Sequence, residues 1–129
     1  MSTEATLSHH LQAFTEGVDA IMLDFTPESV LFTPDGPLRG LAPIRAFFDG
    51  FLSTSPPELL RAITLVRQDI QGDVAYILWK AEPYIPLATD TFVVRDGKIL
   101  AQSFAVLAPS PVSAGGHATA AAVSSRRDR

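Results

Sequence analysis

A single α+β domain is predicted, with helices first and a mainly antiparallel sheet after them, on three observations. Apolar residues recur at helical spacing through the first part of the chain. After Pro57 the period falls to two. Two of the later β-type runs are joined by Asp96-Gly97, a strong hairpin signal. A chain of 129 residues has room for one domain with a sizeable core.

The elements follow in order. Leu7, Leu11, Phe14, Val18, Ile21, Met22 and Phe25 form one apolar stripe, divided by Gly17 into helices expected at 4–16 and 18–25. "SVLFT" (29–33) reads as a short strand and "PDGP" (34–37) as a turn. Helical spacing returns over 41–54 through Ile44, Phe47, Phe48, Phe51 and Leu52. Pro43 sits in its first turn, and Arg45 and Asp49 form an i,i+4 pair on the exposed side. "STSPP" ends that helix, and strands are expected at 59–70, 73–82, 87–96 and 99–108. Helices then pack on one face of a curved sheet. From Pro109 the sequence turns to Ser, Ala, Gly and Pro with a basic end, which reads as a flexible tail over 109–129. His117 there is read as a bystander.

Composition removes several classes of function. The net charge of −4 argues against a nucleic-acid or anionic-membrane surface, both of which call for clustered Lys and Arg. The chain has no cysteine, so disulfides, thiolate nucleophiles and Cys-based metal sites are excluded. "MSTEATLSHH" lacks the basic and apolar regions of a secretory signal, and no apolar run approaches the roughly 18 residues of a membrane span. A cytoplasmic location is expected. The spacing of His9, His10 and His117 relative to carboxylates matches no metal motif, and no Gly-rich phosphate loop is present, so no metal or cofactor is expected.

Asp90 breaks the pattern of its strand. In "LATDTFVVRDGKILAQSFAV" (87–106), Ala88, Asp90, Phe92 and Val94 share the apolar side, whereas Thr89, Thr91 and Arg95 lie on the other. Either the acid faces an interior hollow, or it is solvated near a strand end or bonded to Thr89 or Thr91. The same parity turns Ala75, Ile77, Trp79 and Ala81 inward, and on the last strand Gln102, Phe104 and Val106. Trp79 forms either a pocket floor with its N–H offered to a ligand or plain core. Gln102 either orients a ligand or bonds to Asp90.

The order of elements in "DFTPESVLFTPDGPLRGLAPIRAFF" (24–48), followed by the hairpin "TDTFVVRDGKILAQSFA", resembles the NTF2-like superfamily, in particular its SnoaL-like and ketosteroid-isomerase-like branch. The similarity covers residues 5–108. It implies a cone-shaped, curved antiparallel sheet whose concave face, with the N-terminal helices, encloses an apolar pocket. It also implies a homodimer through the outer sheet face. In ketosteroid isomerases a carboxylic acid matches Asp90 and is kept protonated by its apolar site. The first-helix Tyr of those enzymes maps onto His10, which lies on the flank of the stripe of Leu7 and Phe14; a half-exposed position at the helix edge is the alternative. Their general base, an Asp before a Pro, falls at Thr33 of "LFTP", and Thr has no useful basicity near neutral pH. Asp35, two residues on, is explained by its turn. The acid–arginine set of limonene-epoxide hydrolases is absent, because Trp79, Ala81 and Phe104 stand at the matching places. The second pocket histidine of scytalone dehydratases is absent too.

Asp90 and His10 are thus the candidate catalytic residues, with Trp79, Gln102, Phe104, Phe92, Phe14 and Val106 as candidate ligand contacts. The expected partner is a small apolar molecule bearing a carbonyl or hydroxyl. The expected chemistry is cofactor-independent proton transfer, such as isomerisation, cyclisation or dehydration. The alternative is a non-catalytic ligand-binding or dimeric interaction module on the same fold.

Overall fold

The computed structural model describes residues 1–107; the expected tail and His117 lie outside the described residues. Helix α1 (Thr3–Ala13) starts where the Ser2 hydroxyl accepts the Ala5 N–H at 3.0 Å. Gly17, at φ 112°, makes the corner before α2 (Val18–Met22), a backbone angle that side-chain-bearing residues rarely adopt. Strands β1 (Phe25–Thr33) and β2 (Gly36–Arg39) form a hairpin. They are followed by α3 (Leu41–Thr54), α4 (Pro57–Ala62), β3 (Thr64–Gln71), β4 (Val74–Ala81), β5 (Ile85–Arg95) and β6 (Lys98–Leu107).

The six strands make one open sheet in the order β2-β1-β6-β5-β4-β3, antiparallel except for the β1–β6 pair. Register shifts interrupt four of the five pairings, for instance between Trp79 and Ala81 opposite β5, and such irregularities bend a sheet. The Asp96-Gly97 turn places both residues at positive φ, 53° and 74°, which suits a tight two-residue hairpin. Helix α1 lies on β4 and β5, and α3 lies on β1 and β2. Between helices and sheet sits the core, in which Leu7, Ile21, Leu31, Ile44, Phe92, Val94 and Ile99 are fully buried. The α+β architecture with a curved sheet and helices on its concave face is as the sequence predicts.

Four details differ from expectation. Residues 57–62 form a helical turn where a strand is expected from 59; Pro57 presets the first turn and only Leu59 is buried, so extended pairing begins at Thr64. Strand β1 starts at Phe25 and not at 29, with an irregular stretch before Val30. Gly36–Arg39 pairs back on β1, beyond what a turn reading implies. Arg45 reaches across to Asp19 on α2 rather than along its own helix to Asp49.

Candidate functional site

The site is assembled on three adjacent strands. Asp90 stands opposite Ile77 on β4 and Phe104 on β6. Trp79 and Gln102 are therefore its diagonal neighbours, at a separation that long side chains span. Trp79 opposes Ala88, whose small side chain leaves space for the indole to lean toward Asp90. Trp79 Nε1 donates to Asp90 Oδ1 at 2.7 Å, and Gln102 Nε2 donates to Oδ2 at 2.8 Å. Asp90 is only 9% exposed. Burial pushes its carboxyl above the ordinary aspartate range, while the Trp79 and Gln102 hydrogen bonds and the nearby His10 pull in the opposite direction.

The carboxyl faces a cavity of about 360 Å³, within the range of roughly 300–1,000 Å³ typical of small-ligand sites. Its walls are mostly apolar: Phe14 at the C-terminal end of α1, Phe47, Phe48 and Phe51 from α3, and Ile77, Trp79, Phe92 and Phe104 from the sheet. Leu11, Leu60, Ile63, Leu65, Ile85 and Val106 add to the lining, the polar residues on it are His10, Thr15, Asp90 and Gln102, and no Lys or Arg takes part. An anion would find no countercharge there; an uncharged molecule would lose little on entry.

His10 lies beneath this wall and is 1% exposed, so the half-exposed position at the helix edge is ruled out. Its ring meets four phenylalanines edge to face, with centroids 5.3 Å from Phe14, 5.7 Å from Phe25, 6.0 Å from Phe48 and 5.5 Å from Phe92. Neither ring nitrogen has a hydrogen-bond partner. The buried Asp24 approaches the ring, with Oδ2 3.5 Å from His10 Nδ1. His9, 38% exposed, occupies the same carboxylate through Nδ1 at 2.8 and 3.0 Å.

All eight sequence-predicted residues border the cavity: Asp90, His10, Trp79, Gln102, Phe104, Phe92, Phe14 and Val106. Two open alternatives are narrowed. The Trp79 N–H and the Gln102 amide nitrogen are engaged with Asp90 rather than presented to a ligand, while Gln102 Oε1 is buried without a partner. Thr33 donates to the Gly36 carbonyl at 2.9 Å and accepts the Asp35 N–H at 3.1 Å, so "TPDG" is turn chemistry and neither residue lines the cavity. Asp24 was not singled out because it falls in the expected second helix; the observed chain leaves that helix at Met22. The α3 phenylalanines carried a signal, three rings at helical spacing, which the sequence alone assigns to core. Among the described residues no group of three or more His, Cys, Asp or Glu is arranged to hold a metal ion. No helix there is long and apolar enough to cross a membrane.

No protein-family model matches the chain, and no curated protein matches it. Solved structures do resemble it. An NTF2-like protein of unknown function from Burkholderia xenovorans shares 17% identity at a TM-score of 0.66, over 88% of both chains. A SnoaL-like protein of unknown function from Burkholderia thailandensis shares 14% at 0.64, over 81% of this chain and 94% of that one. A candidate polyketide cyclase from Sinorhizobium meliloti shares 17% at 0.64, over 78% and 94%. The chain has the NTF2-like fold, in the form shared with SnoaL-like proteins. At these identities the likeness concerns fold, and that fold hosts many unrelated activities.

Proposed function

We propose that the cavity binds a small, uncharged, apolar molecule bearing a hydroxyl or carbonyl, held by Asp90. The observation that carries this reading is the Asp90 carboxyl, buried in an otherwise apolar wall and fixed by Trp79 and Gln102. A carboxyl costs stability in such a place, and a site for a polar handle on an apolar ligand explains its presence. The chemistry available is proton transfer without a cofactor, that is isomerisation, cyclisation or dehydration, with Asp90 and His10 as the proton-carrying groups. The candidate cyclase among the structural neighbours is consistent with this class.

The reading of a binding module without catalysis draws on Thr33, which is engaged in its turn at the place where the resemblance puts the base. Turnover of a β,γ-unsaturated ketone separates the two. Binding itself is tested on the single tryptophan, whose indole gives one cross-peak in a nitrogen–proton correlation spectrum. 2-Naphthol and 2-tetralone shift that cross-peak and bind more tightly than 2-methylnaphthalene. In Asp90→Leu the preference for the polar pair disappears. No shift with any of the three contradicts the reading.

The same reading pairs two copies through the convex sheet face, where Phe32, Val74, Leu87 and Leu107 are exposed. Sedimentation velocity then gives a dimer that Leu87→Lys converts to monomer; a monomeric wild-type chain contradicts it.

A further inference from the structure

The unpartnered polar atoms at this site share one character. Both Asp90 oxygens already receive N–H donors, and the donors that supply them, Trp79 and Gln102, are held by that contact. The Thr15 hydroxyl on the cavity wall donates to the Gln12 carbonyl. What remains buried without a partner is Gln102 Oε1, an acceptor, and the two nitrogens of His10. Asp24 decides what those nitrogens are. Its carboxylate accepts only, and it stands 3.5 Å from Nδ1, so the proton of a neutral His10 belongs on Nδ1. Nε2, at the other end of the ring, is then a lone-pair acceptor. Ion-pair contacts of this length often close when a ligand fills the site.

Resting on the ligand-binding reading above, we propose that Asp24 is a positioning residue that sets His10 as a hydrogen-bond acceptor, making this an acceptor-lined site selective for a hydroxyl-donating ligand, a phenol or enol, over a ligand bearing only a carbonyl or ether. His10 Nε2 and Gln102 Oε1, unpartnered atoms on two cavity-lining residues, offer places for the donated hydrogen, while the seven phenylalanine and tryptophan rings of the wall accept the apolar body. An unpartnered buried acceptor carries the cost of its lost hydration. A ligand that brings a donor removes that cost, and one that brings only an acceptor leaves it in place.

The test has a ligand-free arm and a ligand arm. In the ligand-free protein, nitrogen NMR of the imidazoles, with His10 assigned from His10→Leu, shows His10 protonated on Nδ1, and Asp24→Asn shifts the proton toward Nε2. A wild-type His10 protonated on Nε2 overturns the role of Asp24. In the second arm, 2-naphthol binds about tenfold more tightly than 2-methoxynaphthalene, which keeps the rings and loses the donor. Asp24→Asn weakens the naphthol and leaves the ether unchanged. Equal affinities overturn the donor selectivity. If neither probe binds, the ligand reading itself fails, whereas the tautomer still decides whether Asp24 positions His10. Should Asp24→Asn fail to fold, the wild-type tautomer and the naphthol-to-ether ratio in wild type and His10→Leu decide both points.

Discussion

Trp79 Nε1 donates to Asp90 Oδ1 at 2.7 Å although the two residues are not directly paired: Asp90 opposes Ile77, and Trp79 opposes Ala88. The bond is diagonal, and it exists because the inner face of β5 carries a small residue, Ala88, opposite Trp79 where the indole must lean. It ties the only tryptophan in the chain to an acid whose burial raises its pKa.

Trp79→Phe removes one of the two hydrogen bonds that hold the Asp90 carboxyl down against the effect of burial. Asp90 then titrates at higher pH than in the wild type, read by carbon NMR of its side-chain carboxyl. A lower or unchanged midpoint contradicts the assignment of that bond.

The same burial links stability to pH. Because the folded carboxyl lies above its unfolded value of about 3.9, its favourable contribution is present below that value. It is lost as pH rises through the folded pKa. Asp90→Asn, which cannot ionise, therefore gains on the wild type as pH increases from about 3.9, with a plateau once the wild-type carboxyl is ionised. Urea unfolding of both proteins across that window measures the difference, in which the remaining carboxylates largely cancel. A difference independent of pH contradicts the burial of Asp90.

His10 occupies a cage of four phenylalanines without a hydrogen bond. His10→Leu replaces two unpartnered buried nitrogens by hydrocarbon, so denaturant unfolding gives a gain of about 1 kcal/mol, offset in part by the lost proximity to Asp24. Loss of more than about 1 kcal/mol shows that the imidazole is satisfied in a way this geometry lacks.

Ser29 locks the irregular start of β1, accepting the Thr26 N–H at 2.9 Å and donating to the Ile99 carbonyl on β6, with no exposure of its own. Ser29→Ala leaves the buried Ile99 carbonyl and the part-buried Thr26 N–H with one partner fewer and costs about 1–3 kcal/mol in thermal or urea unfolding. Arg45→Ala, which cuts the exposed pair with Asp19, costs less than about 1 kcal/mol. Equal costs would contradict the buried role of Ser29.

The sequence made the sheet and the inward parity legible for a specific reason. Alternation holds over β4 and β5 and slips once on β6, between Ile99 and Gln102; with one face buried there is little freedom of register, so Asp90, Trp79 and Phe92 are placed by counting alone. What alternation cannot supply is which diagonal neighbours touch; the Trp79 and Gln102 contacts with Asp90 depend on rotamers and on Ala88. Asp24 and the burial of His10 were hidden because helical spacing places a flank residue without saying what packs over it. Here α3 brings Phe48 against the imidazole, a contact between helices far apart in the chain. The short α4 was hidden because six residues with two leucines fit either period.

The most direct test is the titration of the Asp90 carboxyl by carbon NMR, alone and saturated with 2-naphthol. The predicted result is a midpoint above the ordinary aspartate range that moves when the naphthol is added. An ordinary midpoint, unmoved by the naphthol, would contradict a buried acid at the wall of a ligand site.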